Sequence, residues 1–128
     1  MRYQAIVITN NPSVSLEQGD TYVEGALLDV LLKARDLIHK GHLLVSHPLA
    51  GSVKPNETPY KSIVLSKRPR PQVDFESLSI IEGSLATARR MLQERPLPDY
   101  PQRVLQDFQL IDRSLLANAL SGLPGYLN

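Results

Sequence analysis

Cysteine and tryptophan are both missing from these 128 residues, and aromatic side chains make up only 5% of them. Without Cys there can be no disulfide, no thiol nucleophile, no Cys-ligated zinc and no iron–sulfur cluster, and such a chain is at home in a reducing compartment. Without Trp, and with few other rings, a stacking platform for bases is poorly supplied. There is no excess of one charge either: 14 Lys and Arg stand against 13 Asp and Glu, for a net charge of +1. The two signs are mixed along the chain, so the basic face that nucleic acid requires is not in prospect. No apolar run approaches the roughly 20 residues of a membrane span, and the run near the N-terminus is too short for a signal-peptide core. The expectation is a cytoplasmic protein with neither membrane nor nucleic acid among its partners.

What is present fits one domain, residues 1–128, long enough to bury a core without staples. Residues 3–9 contain the unbroken apolar run Ala5, Ile6, Val7 and Ile8, the pattern of a strand covered on both faces. Asn10, Asn11 and Pro12 stop it. Residues 14–18 suit a helical turn, and residues 21–24 a short second strand. Over residues 25–40, Asp29, Lys33, Asp36 and Lys40 form one polar stripe on a helix that is otherwise apolar and must be covered on more than one side; Gly41 ends it. Residues 43–45 and 62–66 read as further buried strands. The connection between them is short for a parallel crossover, so the direction of 62–66 stays open.

Residues 67–71, KRPRP, form a stiff basic linker. A second helix over 74–93 repeats Leu78, Ile81, Leu85, Ala88 and Leu92 at steps of three and four, with Asp74 as its N-cap. Prolines at 96, 98 and 101 break the chain before a third helix over 101–120. That helix carries Val104, Phe108, Ile111, Leu115 and Ala119 on one face, and Gly122, Pro124 and Gly125 end it. Buried strands alternating with amphipathic helices predict an α/β layered sandwich, a small mostly parallel sheet flanked by helices.

Between the strands at 43–45 and 62–66 lies a long polar loop punctuated by Pro48, Pro55 and Pro59. Plain connections are short, so a loop this long usually carries function. Ligands of open α/β sheets bind beyond the carboxyl ends of parallel strands. If the first strand and the strand at 43–45 are parallel neighbours, their ends share one rim. A small polar or anionic metabolite would then meet Asn10, Asn11, Ser46, His47, Ser52 and Lys54, with Asn56 and Thr58 further along the loop.

Each of these residues also has a plainer explanation. Asn10 and Asn11 suit turn and cap chemistry equally well. His47 is the best acid/base candidate, because imidazole as a group can change charge near neutral pH, but a His after a strand is more often a loop anchor. Lys54 and Glu57 suit a solvated ion pair. AGSVKP lacks P-loop spacing, and no GxSxG elbow occurs. His39, His42 and His47 match no ligand pattern, so no metal and no cofactor are expected.

The string GHLLVSHPLAGSVKPNETPYKSIVLS, preceded by VEGALLDVLLKARDLIHK and followed by DFESLSIIEG and LQDFQLIDRSLL, resembles the GrdX family. These are small proteins encoded alongside the glycine reductase system of amino-acid-fermenting anaerobes. The resemblance covers most of the chain and brings no agreed catalytic residues. It implies a cytoplasmic bacterial protein tied to reductive cleavage of glycine, sarcosine or betaine. That redox step uses selenocysteine and thiols of other subunits, so a chain without Cys is implied to be accessory, with glycine-reductase-type subunits as partners. Two other functions compete with the accessory, metabolite-binding one. One is an enzyme with His47 as acid/base and Lys54 holding the anion of a small substrate. The other is a docking module whose apolar helix faces form a homodimer.

Overall fold

The computed structural model describes residues 4–51 and 53–123. Three strands, β1 (Ala5–Thr9), β2 (Thr21–Tyr22) and β3 (Ser62–Ser66), and three helices, α1 (Leu27–His39), α2 (Phe75–Glu94) and α3 (Gln102–Ser121), follow in the order β1, β2, α1, β3, α2, α3. The sheet order is β2-β1-β3. It is parallel only in part: β1 runs parallel to β2 over two pairs, but antiparallel to β3 over five, from Ala5↔Ser66 to Thr9↔Ser62. The 46–61 connection, with no helix among its described residues, is too short for a parallel crossover and turns residues 43–45 and β3 antiparallel to each other.

Because successive side chains point to opposite faces, β1 and β3 divide their apolar residues between two layers. Ile6, Ile8, Ile63 and Leu65 pack with Leu27, Val30, Leu31, Ala34 and Ile38 of α1 and with Ile81, Leu85 and Ala88 of α2. Ala5, Val7 and Val64 face the other way, against Leu116 of α3 and Leu123. A central sheet therefore has two helices on one side and one on the other, and β1 is apolar throughout because both its faces are covered.

Local signals account for the helix ends. At the start of α1 the Asp29 carboxylate reaches back to the Ala26 N–H at 2.7 Å. At α2, Asp74 accepts from the Ser77 N–H at 3.0 Å and from the Ser77 hydroxyl at 2.7 Å, as expected of an N-cap. These bonds, the hydroxyl's first, hold the Asp74 carboxyl below its ordinary range. Gly41, after α1, has φ of +107° and lies against the Arg70 carbonyl, where an added Cβ would come within 2.0 Å. The KRPRP linker is thereby seated on the end of α1, with the Arg70 N–H donating to the Gly41 carbonyl at 2.9 Å.

Three expectations are corrected. Residues 14–18 form no helix but a turn and extended chain. Residues 43–45 lie along β3 without becoming a regular strand: only Leu44↔Leu65 forms a bridge, and it is antiparallel. Serine hydroxyls replace backbone groups in that ladder, with the Leu43 N–H on Ser66 Oγ at 2.8 Å and the Val64 N–H on Ser46 Oγ at 2.9 Å. On α3 the buried residues are Asp112 and Leu116, while Ile111 is 41% exposed, so the covered face is turned from the expected one. The first residue of the expected strand over 3–9, and Pro124 and Gly125 after the third helix, lie outside the described residues.

Candidate functional site

Residues 43–46 run antiparallel to β3, and β3 runs antiparallel to β1. The ends at Thr9 and Ser46 therefore point the same way, with the start of β3 between them. The two strands are parallel but not neighbours, and what separates them at the rim is Lys61–Ser62. A polar network is built there. Thr9 Oγ1 and Ser62 Oγ are 2.7 Å apart. The Ser62 hydroxyl donates to Asp112 Oδ2 of α3 at 2.6 Å, and Asn11 Nδ2 donates to the same oxygen at 3.0 Å. Asp112 is only 5% exposed; two charge-assisted hydrogen bonds are what make a buried carboxylate tolerable.

Asn10 holds the neighbouring backbone. Its Nδ2 donates to the carbonyls of Gly25 at 3.0 Å and Pro59 at 2.8 Å, and its Oδ1 accepts from the Lys61 N–H at 2.9 Å. Lys61 is thus fixed at its backbone, and the residue is 7% exposed. Burial pushes the Lys61 ammonium below the usual lysine range, and the Asp112 charge offsets part of that. The ammonium makes no hydrogen bond to a described residue. Among the described residues, only Asn56 Oδ1 is a fully sealed side-chain polar atom without a partner. The Lys61 amine is therefore not sealed, and it opens on a cleft.

That cleft has a volume of about 420 Å³ and runs between residues 45–50, the start of β3 and the C-terminal half of α3. Its polar wall is Ser46, His47, Lys61, Ser62, Asp112 and Asn118; Val45, Ala50, Leu115, Leu116 and Ala119 supply the apolar part. His47 Nδ1 accepts the Leu49 N–H at 3.1 Å, which leaves the ring proton on Nε2 as a donor. Ser46 Oγ accepts the Val64 N–H, so its own hydroxyl proton is free to point elsewhere.

The residues singled out in the sequence divide between these roles. Ser46 and His47 line the cleft. Asn11 supports it from behind: besides Asp112 it holds the Gln109 carbonyl at 2.9 Å and accepts from the Ser13 N–H and hydroxyl. Asn10 and Thr58 line a separate, mostly apolar cavity of about 350 Å³ with Leu27, Leu28, Leu92 and Leu97. Asn56 binds the C-terminal carbonyls of α2, Met91 at 3.1 Å and Arg95 at 3.3 Å. Lys54 is exposed and off the cleft wall, its N–H bound to Glu57 Oε1 at 3.1 Å. Ser52 lies outside the described residues.

In the sequence Lys61 is one more polar residue of the long loop and Asp112 one more residue of the third helix, and neither is among the site candidates. Asp112 had a signal: it stands four residues after Phe108 and three before Leu115, on an apolar stripe where a carboxylate needs a reason. Lys61 had a weaker one, directly before a buried strand. Among the described residues no group of three or more His, Asp or Glu is placed to hold a metal ion, and no helix is long and apolar enough to cross a membrane.

Fold and cleft together define a small α/β protein with a mixed sheet and a polar cleft at one sheet end. Residues 6–121 match the family described as GrdX-like protein, nearly the whole chain, and the chain belongs to that family. No curated protein and no solved structure matches it.

Proposed function

We propose that this protein is an accessory component of a glycine-reductase-type system that binds a small, carboxylate-bearing metabolite in the cleft at the end of β3. Membership of the GrdX-like family supports the first half. The second half rests on one observation: Lys61, nearly buried and clamped at its backbone, has an ammonium with no hydrogen-bond partner among the described residues and opens on a cleft beside Asp112. An anion entering there would meet that cation, with the Nε2–H of His47, the Ser46 hydroxyl and the Asn118 amide as further donors. Asp112 offers an acceptor for a hydroxyl or amino group on the same molecule. A volume of about 420 Å³ suits a metabolite rather than a peptide.

The test is a thermal-shift series with acetate, glycine and lactate, alongside co-purification with reductase subunits. A ligand at a hundredfold excess over its Kd stabilises by about 2.7 kcal/mol, a rise of several degrees that Lys61→Met should remove. If none of the three moves the melting temperature, the metabolite half fails; if no subunit co-purifies, the accessory half fails.

A further inference from the structure

We propose that Lys61 is a carbonyl-reactive amine, and that the cleft captures a small α-oxo acid by forming an imine on its Nζ. This rests on the reading of the cleft as a carboxylate site and adds a covalent step to it.

Three features of the geometry support the step. First, Lys61 is held at both backbone groups: its N–H goes to Asn10 Oδ1 at 2.9 Å, and its carbonyl takes the Asn10 N–H at 3.4 Å. The stem therefore starts from a fixed point, and at 7% exposure it has little room to wander. Second, the amine makes no hydrogen bond to a described residue. The nearby carboxylate of Asp112 has one oxygen committed to Ser62 and Asn11, so it acts on the amine through its charge and leaves the lone pair uncommitted. A structural lysine would close a pair. Third, proton carriers share the wall: Asp112 and His47 both line the cleft. Burial, which favours the uncharged amine, supplies the nucleophilic form at lower pH than for a solvated lysine.

The chemistry balances with what is present. The Nζ lone pair attacks the ketone carbon, a C–N bond forms, and the carbonyl oxygen takes a proton to give a carbinolamine. The hydroxyl then leaves as water, carrying the proton lost from nitrogen, and a C=N bond remains. Asp112 and His47 are the groups placed to pass those protons. No oxidant or reductant is consumed. The substrate carboxylate would occupy the donors of Ser46, His47 and Asn118.

The experiment incubates the full chain with pyruvate, adds borohydride and maps the product by peptide mass spectrometry. Reduction fixes the adduct as a secondary amine, so the modified peptide gains the mass of pyruvate less one oxygen atom. The expected result is labelling at Lys61 at least tenfold above Lys33, Lys40, Lys54 or Lys67, abolished in Lys61→Met and slowed by lactate, which has the carboxylate but no ketone. Labelling spread evenly over the lysines overturns the proposal. Lactate raising the melting temperature with no Lys61 adduct from pyruvate also overturns it, while leaving the carboxylate site intact. Labelling confined to Lys61 with no effect of lactate supports the imine and removes the carboxylate reading. A melting curve of Lys61→Met, expected to match or exceed the parent, shows that lost labelling is not lost folding.

Discussion

Replacing Asn10 by Ala removes, in one change, the brace that fixes the backbone of Lys61. Three hydrogen bonds go: two from Nδ2, to the Gly25 and Pro59 carbonyls, and one to Oδ1, from the Lys61 N–H. They are not equal. Gly25 is exposed and Pro59 partly so, and their carbonyls can turn to water, so each loss costs near the low end of about 0.5–1.5 kcal/mol. The Lys61 N–H sits in a buried residue and is left without an acceptor, which costs about 1–3 kcal/mol. Together these give about 3 kcal/mol. For a chain of this size each kcal/mol moves the melting temperature by about 3–4 °C, so the variant should melt about 10 °C below the parent in a calorimetric or dichroism scan. Asn10→Asp serves as a control, since it keeps the acceptor for Lys61 but turns a carboxylate toward two carbonyls. It should be at least as unstable at pH 7, and its deficit should shrink in acid as that carboxyl protonates. If Asn10→Ala melted within about 2 °C of the parent, hydrogen-bond magnitudes of this order would not describe the brace, and the positioning of Lys61 would need another origin.

Gly41→Ala should destabilise by more than about 2 kcal/mol in a denaturant titration, because a positive φ and a Cβ 2.0 Å from the Arg70 carbonyl leave no strain-free arrangement. Asp74→Ala should cost about 1 kcal/mol at neutral pH. Since the folded state lowers the Asp74 pKa, its contribution is complete above the ordinary carboxylate value of 3.8 and fades as pH falls through the lowered value, so parent and variant should converge there. Lys61→Met should equal or exceed the parent in stability at neutral pH. The lowered Lys61 pKa means that the parent regains stability as pH rises from the folded value toward 10.5, and over that window the variant's advantage should vanish in pH-dependent melts.

The helices were legible because their periods are strong and their ends are marked. Asp74 caps α2, and Gly41 follows α1 in a conformation few other residues adopt. The layered α/β class followed from the same patterns, whereas the mixed direction of the sheet did not, since it depends on how the loop returns. Residues 43–45 are apolar enough for a strand, yet hydroxyls of Ser46, Ser66 and Ser77 take the places of ladder partners, and side-chain competition of that kind leaves no periodic trace. At the cleft, the two ends Thr9 and Ser46 were visible as polar stops. The cation and the carboxylate between them come from residues 51 positions apart, Lys61 and Asp112, which only tertiary packing brings together.

The side chains that border the sheet also fix what can be added to it. On the β2 side, the Val7 N–H is taken by the Asp20 carboxylate at 2.8 Å. Beyond β3, residues 43–46 cover the open edge, and the Leu44 N–H is in turn taken by the Ser77 hydroxyl at 2.9 Å. Backbone donors that would otherwise recruit a foreign strand are spent on Asp and Ser instead. At Val7 and Leu44 a foreign strand would find the backbone donor already taken, so strand addition at those two positions is blocked.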